Sequence, residues 1–360
     1  MAPRNQKPEA QATTTDRAPM ITFSQLPQWA QQNPQIHQGY RPITPKYTFC
    51  LTSLTYLHNE TGNIFSHLLP IFPLLYQITH STLVYFQLIP SQTQPRPEDV
   101  VVFSAFFAGW LACMVLSSTY HTLMCHSKGV AMRCKQLDYT GITCLIYGSF
   151  VPTIYYLFTC EAEQMRFYLT IFTTIAAILI TFFLSPLANN PSAAPLIAPL
   201  FMAFASSAFT PIYVGYQLYG YSHLDQMVGL KYVLTQGLIY IIGVSFFIVS
   251  LSPPKTKTPP ESTPLPWGFP TPTSPPKRSS QPDYSLYKPC PPQTEMPERL
   301  FPGRVDYFFS SHQLFHIAVV IAATVQFIGL QKAYGFQHEH YQMAICPMLS
   351  VWRSQALFVN

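Results

Sequence analysis

In the stretch Ser311-His312-Gln313-Leu314-Phe315-His316, two imidazoles stand at positions i and i+4. A helix presents such a pair on one face, about one turn apart, which suits two nitrogen ligands to one metal ion. A third histidine, His121, ends a separate apolar stretch, and Asp138 opens the next one. A catalytic zinc takes three protein ligands and keeps a fourth position for water, so His121, His312 and His316 make a complete candidate set. Asp138 is then the candidate general base for that water. Taken singly, a histidine at a helix end is more often a snorkelling or hydrogen-bonding interfacial residue than a ligand. The case for a metal rests on whether the chain brings them to one place.

The elements that must do so are membrane helices. Of 360 residues, 48% are hydrophobic and 10% charged, a balance rare in a water-soluble domain. Crossing the hydrocarbon layer takes about 20 apolar residues in a helix. Seven stretches qualify, at residues 63–86, 100–124, 138–158, 167–185, 196–218, 229–251 and 312–330. The expected fold is an all-α integral membrane bundle of seven transmembrane helices, a multi-pass protein of the plasma membrane or of an endomembrane such as the endoplasmic reticulum. Pro70, Pro73, Pro152 and Pro211 fall inside the spans and are read as kinks. Because successive spans alternate in direction, His121, Asp138, His312 and His316 all reach the same depth. Ionisable groups there need a partner or a purpose.

Fifteen of the twenty lysines and arginines fall on the side shared by the N-terminus and the loops after spans two, four and six. Positive charge is retained in the cytoplasm, so the N-terminus is expected there and the C-terminus outside or in a lumen. No apolar segment of signal-peptide type precedes the first span, which is expected to direct insertion itself. Residues 1–44 read as a disordered tail, 45–252 as helices one to six, 295–331 as a loop and helix seven, and 332–360 as a second tail. Between them, residues 253–294 are dominated by Pro, Ser, Thr and Lys. They read as a disordered insertion, either a regulatory loop or an intron translated in frame. The eight cysteines show no CxxC spacing, and neither a disulfide framework nor a cysteine metal site is expected. His58, His126, His338 and His340 read as surface residues of loops and tails.

Three motifs carry a resemblance. HNETGNIFSHLLP holds Glu60, Asn63 and His67 as E-x2-N-x3-H; LSSTYHTLMCHS holds Ser117 and His121 as S-x3-H; SSHQLFHIAVV holds His312 and His316 as H-x3-H. With LDYTGI around Asp138 and PERLFPGRVDY before the last span, the chain from about residue 45 to 330 resembles the progestin and adipoQ receptor family. That family includes adiponectin receptors and fungal relatives and is similar to haemolysin III proteins. The resemblance implies zinc on His121, His312 and His316, with Asp138 orienting the attacking water and Ser117 close to the metal. A membrane serine more commonly bonds back to a carbonyl of its own helix. Glu60, Asn63 and His67 enter the first span at the same level and are candidates for an outer shell around the ligands; helix capping is the alternative for Glu60.

The resemblance further implies a zinc-dependent amide hydrolase acting on a ceramide-like lipid substrate, with a regulatory role in zinc and lipid homeostasis. The alternative is a receptor in which zinc is structural and an external ligand is the signal. Nothing in the chain suggests a nucleic-acid partner.

Overall fold

The computed structural model describes residues 19–91, 93–248, 296–341 and Cys346. Regular structure among them is helical, apart from one isolated bridge between Ile21 and Tyr40. A short helix α1 (Tyr47–Thr52) precedes the first span, which is built from α2 (Thr61–Leu68) and α3 (Ile71–Tyr85). The break falls at Pro70, which lacks the N–H that would continue the ladder. Then follow α4 (Pro97–Leu123), α5 (Lys128–Leu157) and α6 (Ala162–Leu184). The fifth span is two helices, α7 (Ala194–Ser206) and α8 (Phe209–Val228), with Pro211 in the first turn of the second. Gly229, with a positive φ of 64°, turns the chain into α9 (Leu230–Ile248). The last span is α10 (Ser311–Tyr341).

Four helical stretches, Pro97–Leu123, Ala162–Leu184, Pro191–Val228 and Ser311–Glu339, are long and apolar enough to cross a membrane unaided. The seven spans expected from hydropathy each meet helix, and the protein is a multi-pass membrane bundle. Three helices outrun their apolar stretches by ten residues or more. Helix α5 begins at Lys128 rather than Asp138, α8 continues to Val228 rather than ending at Leu218, and α10 continues to Tyr341 rather than ending at Leu330. Hydropathy marks only the part of a helix that lipid would cover, so charged extensions escape it.

Helices α4 and α5 approach closely through small residues. A Cβ on Gly109 would run into the carbonyl oxygen of Cys144, and one on Gly148 would stand 2.6 Å from the carbonyl of Ala105. Without a hydrophobic drive between helices in lipid, such close backbone contact is what holds a pair together.

Three expectations need correction. Residues 1–44 are not wholly disordered: from 19 onward the chain makes two 3-10 turns, buries Leu26, Ala30, Ile36 and Arg41, and packs on the helix ends. A disulfide does exist, joining Cys160 to Cys346 across 186 residues. His58 and His338 are not surface residues. His58 is 1% exposed, and His338 lies on α10 with its ring nitrogen on Asp99. Burial pushes the His58 imidazole down to about 3, so it is neutral and accepts the backbone N–H of Glu60. The insertion at 253–294 lies outside the described residues.

Candidate metal centre

The three histidines meet. Nε2 of His312 stands 3.3 Å from Nε2 of His121 and 3.2 Å from Nε2 of His316. Zinc–nitrogen bonds of about 2.0–2.1 Å in a tetrahedron put neighbouring donors about 3.3 Å apart. All three donor sets lie within 4.8 Å of one another, and His121 and His316 are buried.

The outer ring nitrogens decide which way the lone pairs face. Nδ1 of His121 is 2.8 Å from a carboxylate oxygen of Glu60. Nδ1 of His316 is 3.1 Å from the carbonyl of Asn63 and 3.2 Å from the hydroxyl of Ser66. A carboxylate and a carbonyl only accept, so both Nδ1 atoms carry the proton and both Nε2 lone pairs point inward. Lone pairs facing one another repel unless a cation lies between them. The cluster can hold a metal ion.

Each ligand is set by a brace at its helix end. Arg41 donates to the carbonyls of His121 and Thr122 and to the hydroxyl of Ser53, closing the C-terminal end of α4. Glu298 accepts from the backbone N–H and the hydroxyl of Ser311, both at 2.8 Å, closing the N-terminal end of α10 one residue before His312. Gln313 ties α10 to the turn before α2 by donating to the carbonyls of Asn59 and Tyr307. Gly62 leaves room for it, since a Cβ there would strike the Gln313 amide. These three braces were not anticipated. Arg41 and Glu298 lie in irregular chain, where no periodicity marks a side chain as inward.

The candidate outer shell is present and takes a definite form. Glu60 makes no side-chain cap on α2. Its carboxylate instead accepts from His121, from Asn63 at 2.7 Å and from Asn59 at 3.1 Å. Burial works to raise the Glu60 pKa, but His121, Asn63 and Arg41 outweigh it and hold the group down at about 2. His67 stacks face to face on His316, with ring centres 3.9 Å apart, and neither of its nitrogens has a hydrogen-bond partner among the described residues.

Asp138 is buried on α5, where it faces His121 and lies beside Ser117. The Ser117 hydroxyl makes no bond back to its own helix and has the Asp138 carboxyl as its polar neighbour. Its helix neighbours behave differently. Ser118 and Thr122 bond back to the carbonyls of Met114 and Ser118, as membrane hydroxyls commonly do. A hydroxyl turned from its own helix towards a buried carboxyl stands apart from that pattern.

The model of the haemolysin-III related family matches residues 55–261 and 293–327 of this chain. The chain belongs to that family. Its match is interrupted over 262–292, inside the Pro-rich stretch, and takes in every candidate site residue from Glu60 to His316. Among individual relatives, the Adiponectin receptor protein of Drosophila melanogaster is 30% identical over 310 residues, covering 86% of this chain and 58% of its own length. The ADIPOR-like receptor IZH2 of Saccharomyces cerevisiae is 28% identical over 323 residues, covering 89% and 85%. The Progestin and adipoQ receptor family member 3 of Mus musculus is 30% identical over 319 residues, covering 84% and 82%. The chain thus spans less than two thirds of the insect relative and most of the yeast and mouse ones.

Proposed function

We propose that the histidine cluster of this family member is a zinc centre that hydrolyses the amide bond of a ceramide-like membrane lipid. The observation that carries the reading is the asymmetry around the donors. Three ring nitrogens converge from His121, His312 and His316, while a carboxyl with a neighbouring hydroxyl lies beside them at Asp138 and Ser117. A purely structural zinc site is closed by four protein ligands; among the described residues this cluster offers three. When bound, zinc supplies a Lewis acid for the amide carbonyl and makes water more acidic.

The chain's own residues do the rest. Glu60 holds the His121 ring in the tautomer that leaves Nε2 bare, and Asn63 does the same for His316 through its carbonyl. Asp138 takes the proton of the attacking water and returns it to the leaving amine. Ser117, which makes no bond back to its own helix, orients that water together with Asp138. Two surface clefts, one at Glu163, Phe167 and Val214 and the other at Asp225, Lys231 and Lys332, do not border the triad.

The N-terminus is assigned to the cytoplasm. The Cys160–Cys346 disulfide supports this, because it joins the two segments that the proposed topology puts outside, and disulfides persist in oxidising compartments.

The receptor reading has one observation in its favour: the insect, yeast and mouse relatives are all named as receptors. Purified protein with Asp138→Asn separates the two. Catalytic zinc predicts unchanged metal content and a fall in ceramide hydrolysis of about 10²–10⁴-fold, the usual worth of a general base. Hydrolysis equal to that of the wild type, or no hydrolysis by zinc-loaded wild type, defeats the enzyme reading.

A further inference from the structure

Near the histidine cluster, but not part of it, two thiols meet. Sγ of Cys50 and Sγ of Cys125 lie 3.5 Å apart, and both residues are buried. Cys50 comes from α1 and Cys125 from the turn that follows α4, one helical turn beyond His121. Neither belongs to the Cys160–Cys346 disulfide. No other thiol pair is in hydrogen-bond contact among the described residues.

The surroundings suit oxidation. The contact with the Cys50 sulfur and the nearby Arg41 guanidinium both favour negative charge on the Cys125 sulfur. Phe49 and Leu123 pack around the two sulfurs. A bond needs the sulfurs to approach from 3.5 Å to about 2.05 Å, a shift of side-chain scale. The pair also sits where a link would matter. Residues 41–52 form a strap over the end of α4, held there by Arg41 on the His121 and Thr122 carbonyls and by the Thr44 N–H on the Cys125 carbonyl at 2.9 Å.

We propose that Cys50 and Cys125 are a peroxide-oxidisable dithiol whose reversible disulfide fastens this strap to the helix end that carries His121. The Cys125 thiolate attacks one oxygen of hydrogen peroxide; the S–O bond forms, the O–O bond breaks, and hydroxide leaves to be protonated to water. The Cys50 sulfur then attacks the sulfenic sulfur; the S–S bond forms, the S–O bond breaks, and water leaves with the Cys50 proton. Two thiols lose two electrons and two protons, and peroxide becomes two waters. On the side proposed as cytoplasmic such a bond is transient, as a sensor requires.

The test uses the full chain in lipid nanodiscs, treated with hydrogen peroxide, blocked with a maleimide after denaturation, and mapped by peptide mass spectrometry. A dithiothreitol-reversible Cys50–Cys125 peptide is expected in most molecules, with Cys113, Cys134 and Cys144 alkylated. Hydrogen exchange at the Thr44 amide should slow by about tenfold when the bond forms. Either thiol remaining alkylatable, Cys125 carried on to sulfinic acid, or a link that leaves Thr44 exchange unchanged overturns the proposal. In Cys50→Ser, Cys125 should stop at a sulfenic acid that dimedone traps; a folded variant with no adduct assigns the first attack wrongly. If that variant fails to fold, the wild-type map decides alone.

Discussion

The two ends of the bundle use the same helices in opposite ways. At one end, α4, α5 and α10 bring together His121, Asp138, His312 and His316; at the other they bring together Asp99, Tyr156 and His338. Asp99 is 1% exposed, yet nothing about it is left over. Its carboxylate accepts from the Arg96 backbone and guanidinium, from the Tyr156 hydroxyl at 3.0 Å and from His338 at 2.9 Å. That end also carries the disulfide to Cys160. The histidine end keeps a Ser117 hydroxyl turned from its own helix, two nitrogens on His67 with no partner among the described residues and a reduced thiol pair. Buried polar groups that satisfy one another hold a structure together, whereas those left unsatisfied call for a ligand or a reaction. Burial of charge alone does not mark a functional site.

The sharpest way to break this contrast is to remove a ligand. His316→Ala should reduce metal affinity by more than about 100-fold, beyond what loss of an outer-shell partner does. Metal analysis of purified protein should read background for this variant and one ion per chain for the wild type. Asp99→Ala is the mirror experiment. It leaves the partly buried Arg96 without its ion pair and Tyr156 and His338 without an acceptor, at a cost of about 3 kcal/mol. The midpoint of thermal unfolding should drop by several degrees while metal content stays at the wild-type level. Lost metal in Asp99→Ala, with the fold intact, would show that the two ends are not separate.

The histidine end was largely legible in the sequence and the Asp99 end was not, for a physical reason. His312 and His316 declare themselves by i, i+4 spacing, and alternating spans bring His121 and Asp138 to their depth without any knowledge of packing. Asp99 and His338 lie just beyond the apolar stretches, where hydropathy stops and a helix and a loop look alike. The Cys160–Cys346 pairing joins residues 186 positions apart, and spacing carries no trace of it. Arg41 and Glu298 act from irregular segments on the ends of helices that other segments position. Glu60 was legible in place but ambiguous in role. At the start of a helix a carboxylate caps by default, and only the position of His121 shows that it faces the ligand instead.

Glu60→Gln gives the smallest and most informative effect. Both carboxylate oxygens now accept: one from Asn59, the other from Asn63 and His121. Gln keeps the shape but replaces one acceptor with a donor. Whichever way the amide turns, an NH2 group meets the NH2 of Asn59, or meets both Asn63 and the protonated nitrogen of His121. Either arrangement loosens the His121 ring and removes the negative charge behind it, so zinc affinity should fall by about 10–100-fold. Stoichiometry at saturating zinc should remain one per chain, because all three ligands survive; competition against a chelator reads the difference. Tyr156→Phe removes one of several bonds to Asp99 by an equally conservative change and should leave the chelator curve where it was. Equal affinities for the two variants would mean that Glu60 merely fills space at the start of α2.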